Sequence, residues 1–362
     1  MYYLRDGLGS FKGCKTIGKL LAILFSIFTL LASFGIGAMG QINKIVVNIE
    51  SAFPVKVLVI IPLYDGVTAY SVVIGIVLVI IAALIVLGGL KRIAAFAEKI
   101  VPFMVVLFVA GSIVVIGVNY AQIGTAFKAI FTQAFSPIAV AGGVTGSIIK
   151  TVMVQGFKRG VFSNEAGLGS SVMVHSNSTI KEPVKQGMWG IFEVFADTMV
   201  VCTMTALVVL TSGVFDITAP IGTHTNDATM VADAFNSVFS FGNIGSRFIA
   251  IAILLFAFTT VLGWDHYGTK AWEYLFGTKT TKVYKVIHLV MIMCGALMTS
   301  SLAWDISDTF NGLMMIPNLI GVIALSGLVC KITKNYIDRT IRKKDIKPML
   351  SVFPEIQREQ EN

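Results

Sequence analysis

The sequence predicts an all-α polytopic membrane protein with about eight transmembrane helices. Hydrophobic residues make up 55% of the 362 positions, and the mean hydropathy is +0.81. This composition is typical of membrane proteins rather than of soluble domains. Several separate apolar runs reach the roughly 20 residues that a helix needs to cross a bilayer. Lys and Arg are concentrated in alternate loops, as in proteins that cross the membrane several times.

Seven of the predicted spans are continuous apolar helices, and one is interrupted by polar residues. The continuous spans cover about 20–42, 68–90, 101–118, 186–210, 247–268, 286–303 and 309–330, and the interrupted one covers about 142–176. Residues 120–138, with Phe127, Phe131 and Phe135, predict an amphipathic helix at the membrane interface. We therefore expect a transmembrane domain over 1–330. Residues 331–362 should form a charged, partly ordered tail.

The positive charge predicts one orientation. With the N-terminus taken as cytoplasmic, 21 of the 28 Lys and Arg residues fall in loops on that side, as the positive-inside rule requires. The net charge of +8 is then a matter of topology, so we expect no nucleic-acid partner. The expected setting is the lipid bilayer of the cell membrane, with both ends of this chain cytoplasmic. Cysteines and histidines are dispersed, which predicts no transition-metal site. The sequence does not determine the oligomeric state.

Residues 156–170, which read GFKRGVFSNEAGLGS, lie inside the interrupted span. Non-helical backbone at membrane depth persists only where protein buries it or where it lines a wet cavity. Ionisable groups at that depth are candidates for function. Gly160 and the later glycines predict an unwound segment, with Ser163 or Asn164 capping a new helix and Glu165 in its first turn. We predict a broken transmembrane helix whose gap is a binding site.

Residues 159–170, RGVFSNEAGLGS, closely resemble the signature of the sodium:alanine symporter family. The resemblance implies a leucine-transporter-type inverted-repeat fold, in which substrate binds at the bilayer midplane between two broken helices. It also implies uptake of a small neutral amino acid, alanine or glycine, by alternating access. The coupling ion would be Na⁺, and no organic cofactor is expected.

The first residues of the chain also resemble a motif of this family. In the family, a motif like the Met-Tyr-Tyr-Leu of residues 1–4 follows Gly-Gly-Pro and further helices, which include another broken helix. The resemblance covers essentially all of residues 1–330. We therefore expect a chain that corresponds to about the C-terminal three-quarters of a family member. One alternative is a fragment that transports nothing.

Substrate contacts are predicted in three spans. Amides exposed near Ser163 and Asn164 would form a positive helix end for a carboxylate, and Phe162 would wall a small pocket. Gln41 carries a buried amide that needs a partner, and the family resemblance places it against the bound amino acid. By analogy with inverted-repeat sodium symporters, Trp264 would line the same pocket.

Sodium contacts are predicted in the sixth span. Thr259 and Thr260 supply hydroxyl oxygens, which suit a hard cation, and the analogy with inverted-repeat sodium symporters makes them half of a Na⁺ site. Thr260 shares a helix face with Trp264, one turn later, and so also belongs to the predicted substrate pocket. The alternative for both threonines is a hydrogen bond to the carbonyl one turn back.

Five charged residues form a predicted gating or structural network. Glu165 would pair with Lys158 or Arg159 rather than ligate a cation directly. Glu193 and Asp197 lie one helical turn apart in the fifth span, where two carboxylates demand an explanation. Our first interpretation pairs them with the same two cations, and our second makes them a proton- or cation-binding site.

Two rival functions remain open from the sequence. The first is proton-coupled amino acid transport through Glu193 and Asp197. The second is an intramembrane enzyme that would add His175 to these carboxylates, but no nucleophile or metal spacing supports it, so we predict no enzyme. In the eighth span, Pro317 and Asn318 predict a kink with a local partner. Residues 304–308, just before this span, are given no predicted role.

Overall fold

The computed structural model describes residues 1–55, 62–64, 67–134, 145–215 and 229–361. Its α-helices are α1 (Lys15–Phe34), α2 (Gln41–Ala52), α3 (Ala69–Val86), α4 (Leu90–Val118), α5 (Ile123–Ala134), α6 (Thr145–Asn164), α7 (Val172–His175), α8 (Pro183–Val194), α9 (Thr203–Thr211), α10 (Met230–Asn236), α11 (Ile244–Phe276), α12 (Thr281–Ala296), α13 (Ser300–Thr340) and α14 (Pro354–Glu361). Strand β1 (Pro62–Tyr64) pairs antiparallel with β2 (Val67–Thr68).

Two π-helical segments join neighbouring helices into longer rods. Gly35–Gly40 joins α1 to α2, and Phe195–Cys202 joins α8 to α9. Shorter π or 3₁₀ turns occupy Tyr3–Gly7, Leu8–Ser10, Tyr120–Gln122, Phe241–Asn243 and Thr278–Thr280. π-helical turns are rare and often lie at functional sites.

Six helical segments among the described residues are long and apolar enough to cross a membrane. They are Lys15–Ala52, Ala69–Val86, Lys91–Val118, Pro183–Thr211, Phe241–Phe276 and Ser300–Thr340. These correspond to six of the eight predicted spans. The predicted interrupted span contains α6 and α7, and the predicted seventh span contains most of α12, a helix of 16 residues. Apart from the short ribbon, the described chain is all-α and polytopic.

The turn between α12 and α13 comes earlier than the predicted boundary between the seventh and eighth spans. α12 ends at Ala296, and Thr299 has an extended backbone immediately before α13. Asn43 fixes this turn, because its Nδ2 donates to the Met298 carbonyl at 2.7 Å and its Oδ1 accepts from Ser300 Oγ at 2.7 Å. Hydropathy alone could not place the boundary, since the residues around the turn are themselves mostly apolar.

Helix α13 extends beyond its predicted end. It continues through Pro317 and reaches Thr340, so the predicted domain boundary at residue 330 falls inside a helix. Arg339, in its last turn, pairs with Glu182 at 2.6 Å. The first ten residues of the predicted tail are therefore helical and are tied to the start of α8.

Helix α11 lies at the centre of the described structure and packs against α1, α2, α4, α10 and α12. Val261 and Leu262 of α11 are buried with Ile42 of α2 and Ile292 of α12. The approach to the first span is close, because a Cβ on Gly37 would lie 2.5 Å from the Cβ of Trp264. The small residues of the first span thus allow tight helix packing.

Apolar side chains cover the outward faces. On α3, Ile80 is 54% and Leu84 is 64% exposed, and so much exposed apolar surface requires lipid or a partner. The predicted amphipathic segment is helical as α5, with Phe127 and Phe131 exposed. Phe135 lies outside the described residues.

Candidate functional site

The interrupted span breaks at residues 165–171, later than the glycine pattern predicted. α6 passes through Gly160 without interruption and ends at Asn164. The prediction that Gly160 unwinds the helix is therefore wrong. A single glycine inside a helix costs only about 1 kcal/mol relative to alanine, which the continuing backbone hydrogen bonds can offset.

The backbone at the break has the opposite polarity to the one predicted. Ser163 and Asn164 occupy the last turn of α6, and Glu165 follows in a left-handed conformation with φ 55°. Asn164 Oδ1 accepts from the Ala166 amide at 3.1 Å, an Asx-type turn that competes with helix continuation. The prediction that Ser163 or Asn164 caps a new helix is wrong, since Ser171 precedes α7. This end of α6 presents carbonyl groups and partial negative charge.

A clamp from α13 holds the broken segment. Asn318 is 2% exposed, and its Nδ2 donates to the Gly167 carbonyl at 2.8 Å. Its Oδ1 accepts from the Tyr3 hydroxyl at 2.6 Å. Gly169, with φ 80°, lies so close to Asn318 that a Cβ there would overlap the amide. Asn318 was predicted to have a partner nearby in the sequence. Its partners are instead Tyr3 and Gly167, which lie far from it in the sequence.

The last turn of α6 is bound to the π-helical segment after α8. Ser163 Oγ donates to Asp197 Oδ2 at 2.5 Å, and Asn164 Nδ2 donates to Thr198 Oγ1 at 3.2 Å. Asp197 was predicted to pair first with Lys158 or Arg159. The structure instead gives it a serine hydroxyl, because the cations lie a turn earlier on α6 and point to another helix.

Glu193 also has a partner other than the predicted cations. Its Oε2 lies 3.1 Å from His175 Nε2, and Gln186 contacts His175 Nδ1 at 2.7 Å. Sequence reasoning combined His175 with Glu193 only in the rejected enzyme alternative. The contact joins α7 to α8 and closes one side of the break.

Glu165 links the break to α11. Its Oε1 accepts from Trp264 Nε1 at 3.0 Å, and its Oε2 accepts from Ser170 Oγ at 2.6 Å. The predicted pairing of Glu165 with Lys158 or Arg159 is wrong. The helix ends one residue before Glu165, so the carboxylate leaves the helix face that carries the cations.

The two cations of α6 meet α13. Arg159 lies 2.7 Å and Lys158 lies 3.6 Å from Asp308 Oδ2, and the Asp308 side chain is only 14% exposed. The Arg159 guanidinium also lies 4.5 Å from the ring centre of Trp304, whose ring contacts Phe162 at 5.1 Å. We call these five residues the Arg159–Trp304 cluster.

Sequence analysis missed the partners in this cluster. Trp304 and Asp308 lie one turn apart near the start of α13, so they share a helix face. An aromatic ring and a carboxylate on one face are a cation-binding pattern, since Arg both stacks on rings and pairs with acids. That spacing was the available signal.

A cavity of about 590 Å³ brings two predicted site residues together. Its lining includes Gln41 of α2, Thr260 of α11, and Arg159 and Trp304 of the cluster. Lys44 also lines it, with Nζ 5.5 Å from the Trp304 ring centre. The cavity is therefore bounded by amide, hydroxyl and cationic groups, which suit a small zwitterionic ligand.

The threonine pair has the back-bonded geometry that was the alternative to cation ligation. Thr259 Oγ1 lies 3.0 and 2.9 Å from the Leu255 and Phe256 carbonyls, and Thr260 Oγ1 lies 3.0 Å from that of Phe256. These bonds use the hydroxyl protons and leave oxygen lone pairs for a further ligand. Trp264 is 1% exposed and lies in an apolar cluster with Leu168 rather than beside Gln41.

A second cavity, of about 750 Å³, lies at the break itself. Its lining includes Asn164, Ser171, His175 and Glu193, together with Lys181 from the loop before α8. Lys181 is among the basic residues that the positive-inside pattern predicts to be cytoplasmic, and Lys44 of the first cavity is among those predicted on the opposite side.

Comparison with known proteins agrees with these features. A family model described as the sodium:alanine symporter family matches residues 1–350. The sodium/alanine symporter AgcS of Methanococcus maripaludis is 37% identical over 96% of this chain and 70% of its own length. An uncharacterized transporter of Haemophilus influenzae is 36% identical over 94% and 68%. The probable sodium/glutamine symporter GlnT of Bacillus subtilis is 33% identical over 95% and 65%.

Proposed function

Because the chain belongs to the sodium:alanine symporter family, we propose that it couples uptake of a small neutral amino acid, alanine or glycine, to entry of Na⁺. The mechanism is alternating access. The observation that carries the proposal is the helix break at 165–171. Ala166 and Ser171 of the break line the cavity that contains His175, and Arg159, less than two turns earlier on α6, lines the cavity that contains Gln41. A ligand at this break would be reached from one cavity and then from the other.

The proposal includes the architecture that such transport needs. The fold is of the leucine-transporter inverted-repeat type with eight spans, six of which the long apolar helices support. Residues 1–330 form the transmembrane domain, and 331–362 form a cytoplasmic tail that begins as the end of α13. The distribution of Lys and Arg supports cytoplasmic termini for this chain.

Substrate recognition follows from the charges around the break. An amino acid carries an ammonium and a carboxylate group. The carbonyl end of α6 at Ser163 and Asn164 attracts the ammonium group, because the C-terminal end of a helix is negative. The carboxylate faces the Gln41 amide and the cations of the first cavity. Phe162 and Trp264 contribute apolar surface beside the break.

The Na⁺ contacts are oxygen atoms of α11 and of the broken helix. The hydroxyl oxygens of Thr259 and Thr260 retain lone pairs, and a half-helix C-terminus adds carbonyl oxygens. These donors fit a hard monovalent cation. No charged side chain is needed, since neutral oxygens replace part of the ion's hydration shell.

The Arg159–Trp304 cluster acts as a gate over the first cavity. Arg159 and Trp304 line that cavity, and Asp308 fixes Arg159 to α13. Opening requires α6 and α13 to separate at this ion pair. Glu165, Glu193 and Asp197 form the corresponding network on the inner side of the break, through neutral donors and His175.

Sodium is favoured over a proton as the ion that binds at the break. Glu193 is paired with His175, and Asp197 accepts from Ser163, so both carboxylates already have partners that favour a structural role. The test is uptake of labelled alanine by liposomes that contain the purified protein, made from its reading frame together with any helices encoded before residue 1. We expect accumulation with an inward Na⁺ gradient at equal pH. Uptake that follows a pH gradient without Na⁺ would contradict the proposal.

Excess unlabelled glycine, alanine and glutamine define the substrate in the same assay. Alanine and glycine should suppress uptake of the label, while glutamine should suppress it weakly. Liposomes without protein are the control for leak. A stronger effect of glutamine would assign the chain to a larger amide substrate.

A further inference from the structure

A buried acid lies on α11, apart from the cavity lined by Gln41. Asp265 is 1% exposed, and within the described part of the chain its Oδ1 has no hydrogen-bond partner. Burying an ionised carboxylate costs several kcal/mol unless it is paired and hydrogen-bonded. The function proposed above does not use this residue.

A polar cluster between three helices lies within about one turn of Asp265 along α11, and its Tyr284 interacts with Asp265 electrostatically. The Tyr284 hydroxyl of α12 donates to Ser33 Oγ of α1 at 3.1 Å and lies 3.4 Å from His288 Nδ1. Gly268 makes room for this contact, because a Cβ there would overlap the Tyr284 hydroxyl. We call these residues, with Asp265, the α1–α11–α12 cluster.

Further orphaned polar groups lie on the same helix. Thr269 is one turn after Asp265, and its buried Oγ1 likewise has no partner among the described residues. Two unpaired oxygens on adjacent turns of a membrane helix are unusual, since buried polar groups are normally hydrogen-bonded. Their presence points to a species that the protein atoms alone do not supply.

Among the described residues, no cation lies close enough to Asp265 to form an ion pair. Lys285 of α12 interacts with it electrostatically, but its Nζ donates to the Val86 carbonyl at 2.7 Å. Of the residues that the structure describes, the other titratable groups of the cluster are Tyr284 and His288 of α12, both fully buried. From α1 the cluster receives Ser33, which does not titrate.

We propose that Asp265 binds a proton inside the membrane. A proton delivered by water adds to Oδ1, so that one O–H bond forms and the carboxylate becomes a neutral carboxylic acid. Release reverses this step and returns the proton to water. The α1–α11–α12 cluster is therefore a proton-binding site, distinct from the break and from the carboxylates Glu193 and Asp197.

The small size of a proton fits the close packing of this cluster. Trp264, immediately before Asp265, packs against Gly37 of the first span, so the surroundings are dense. Neutralisation by a proton requires no added volume and removes the cost of a buried charge. Protonation of Asp265 does not require Glu165 to lose the hydrogen bond that it accepts from Trp264.

The experiment is infrared spectroscopy of the purified full chain in lipid nanodiscs at neutral pH. The C=O stretch of a protonated carboxylic acid is separate from that of a carboxylate. We expect Asp265→Asn to lower this absorbance by the equivalent of one group per chain. The matched control, Asp6→Asn, should leave it unchanged, because the Asp6 side chain is 60% exposed and its carboxylate accepts two hydrogen bonds from Arg5.

Two further arms keep the result decisive. Asp265→Leu removes the carboxyl group without adding a hydrogen-bonding group, and it replaces the Asn variant if that protein does not fold. An absorbance unchanged by loss of Asp265 would overturn the proposal. Loss of the wild-type signal on addition of Na⁺ at constant pH would overturn it too, by assigning the site to Na⁺. The measurement does not depend on transport.

Discussion

Glu165 shows how neutral donors can fix a carboxylate at membrane depth. Trp264 and Ser170 each donate to one of its oxygens, at 3.0 and 2.6 Å. Hydrogen bonds to charged groups contribute roughly 1.5–3 kcal/mol each. The indole of Trp264 therefore connects α11 to the break by its N–H as well as by its packing.

Trp264→Phe should destabilise the protein by about 1–3 kcal/mol, because Glu165 Oε1 loses its donor while most of the ring packing is kept. Unfolding of the purified protein in mixed detergent micelles measures this change. Trp272→Phe is the matched control, since Trp272 Nε1 donates to Thr280 at 2.9 Å in an exposed setting. We expect the control to change the free energy of unfolding by less than about 0.5 kcal/mol. Equal changes in the free energy of unfolding for the two variants would show that the Trp264–Glu165 hydrogen bond adds no stability.

Gln41→Ala should weaken alanine binding about ten- to a hundredfold, because a hydrogen bond to the charged carboxylate is worth roughly 1.5–3 kcal/mol. Calorimetry with the purified protein in Na⁺ buffer measures the affinity. Gln122→Ala changes an exposed glutamine beside α5 and should leave binding unchanged. Normal affinity in Gln41→Ala would remove this residue from the proposed pocket.

At the scale of elements, the break depends on contacts from outside its own helix. Asn318 of α13 holds the Gly167 carbonyl, and the Gly169 backbone packs on the same amide. The left-handed conformation at Gly169 is one that residues with a Cβ rarely adopt. The broken segment is thus fixed by α13 as much as by its own glycines.

Gly169→Ala should lower the free energy of unfolding by about 1–3 kcal/mol more than Gly213→Ala does. Both glycines have positive φ, 80° and 77°, so both variants carry the backbone strain. Gly169 faces a close neighbour, whereas a Cβ on Gly213 would have no atom of the described residues within 4 Å. Denaturant unfolding of both variants measures the difference. An equal loss of unfolding free energy in both variants would mean that Asn318 can move away from the added Cβ without a loss of stability.

The sequence was sufficient to find the break but not its polarity. Glycines and a run of polar residues signal an interrupted span, and the structure contains one. Whether Ser163 and Asn164 end one helix or begin the next depends on the backbone of Glu165, which local propensity does not determine. Ion-pair partners were missed for a similar reason. Arg159 and Asp308 are 149 residues apart, and their meeting depends on how α6 packs against α13.

For the whole molecule, the distribution of charge predicts which parts of the chain lie on each side of the membrane. Lys44 lines one cavity and Lys181 lines the other. The distribution of Lys and Arg predicts that these two residues lie toward opposite sides of the membrane. Such a prediction needs only hydropathy and charge, because both depend on composition rather than on packing.

The predicted orientation can be tested by labelling with a membrane-impermeant thiol reagent. Lys128→Cys should react in intact cells, and Lys279→Cys should react only after permeabilisation. Lys128 of α5 and Lys279 of the turn before α12 are both exposed, and they are predicted to lie on opposite sides of the membrane. Each is introduced after the four native cysteines have been replaced by serine, and that background protein is the control. The reverse pattern would invert the proposed topology.

The π-helical turn Gly35–Gly40 has a consequence for how the chain tolerates insertions and deletions. A π-helical turn holds about one residue more than a turn of α-helix. Deleting one residue there would restore α-helical winding, and everything after it would keep nearly the same orientation relative to α1, because the wider turn only accommodates the extra residue. Gln41 would therefore still face the cavity that Thr260 lines. The same deletion inside α1 would instead rotate Gln41 by about 100°. Within the family, a gap in an alignment should therefore be tolerated at these positions more readily than inside α1.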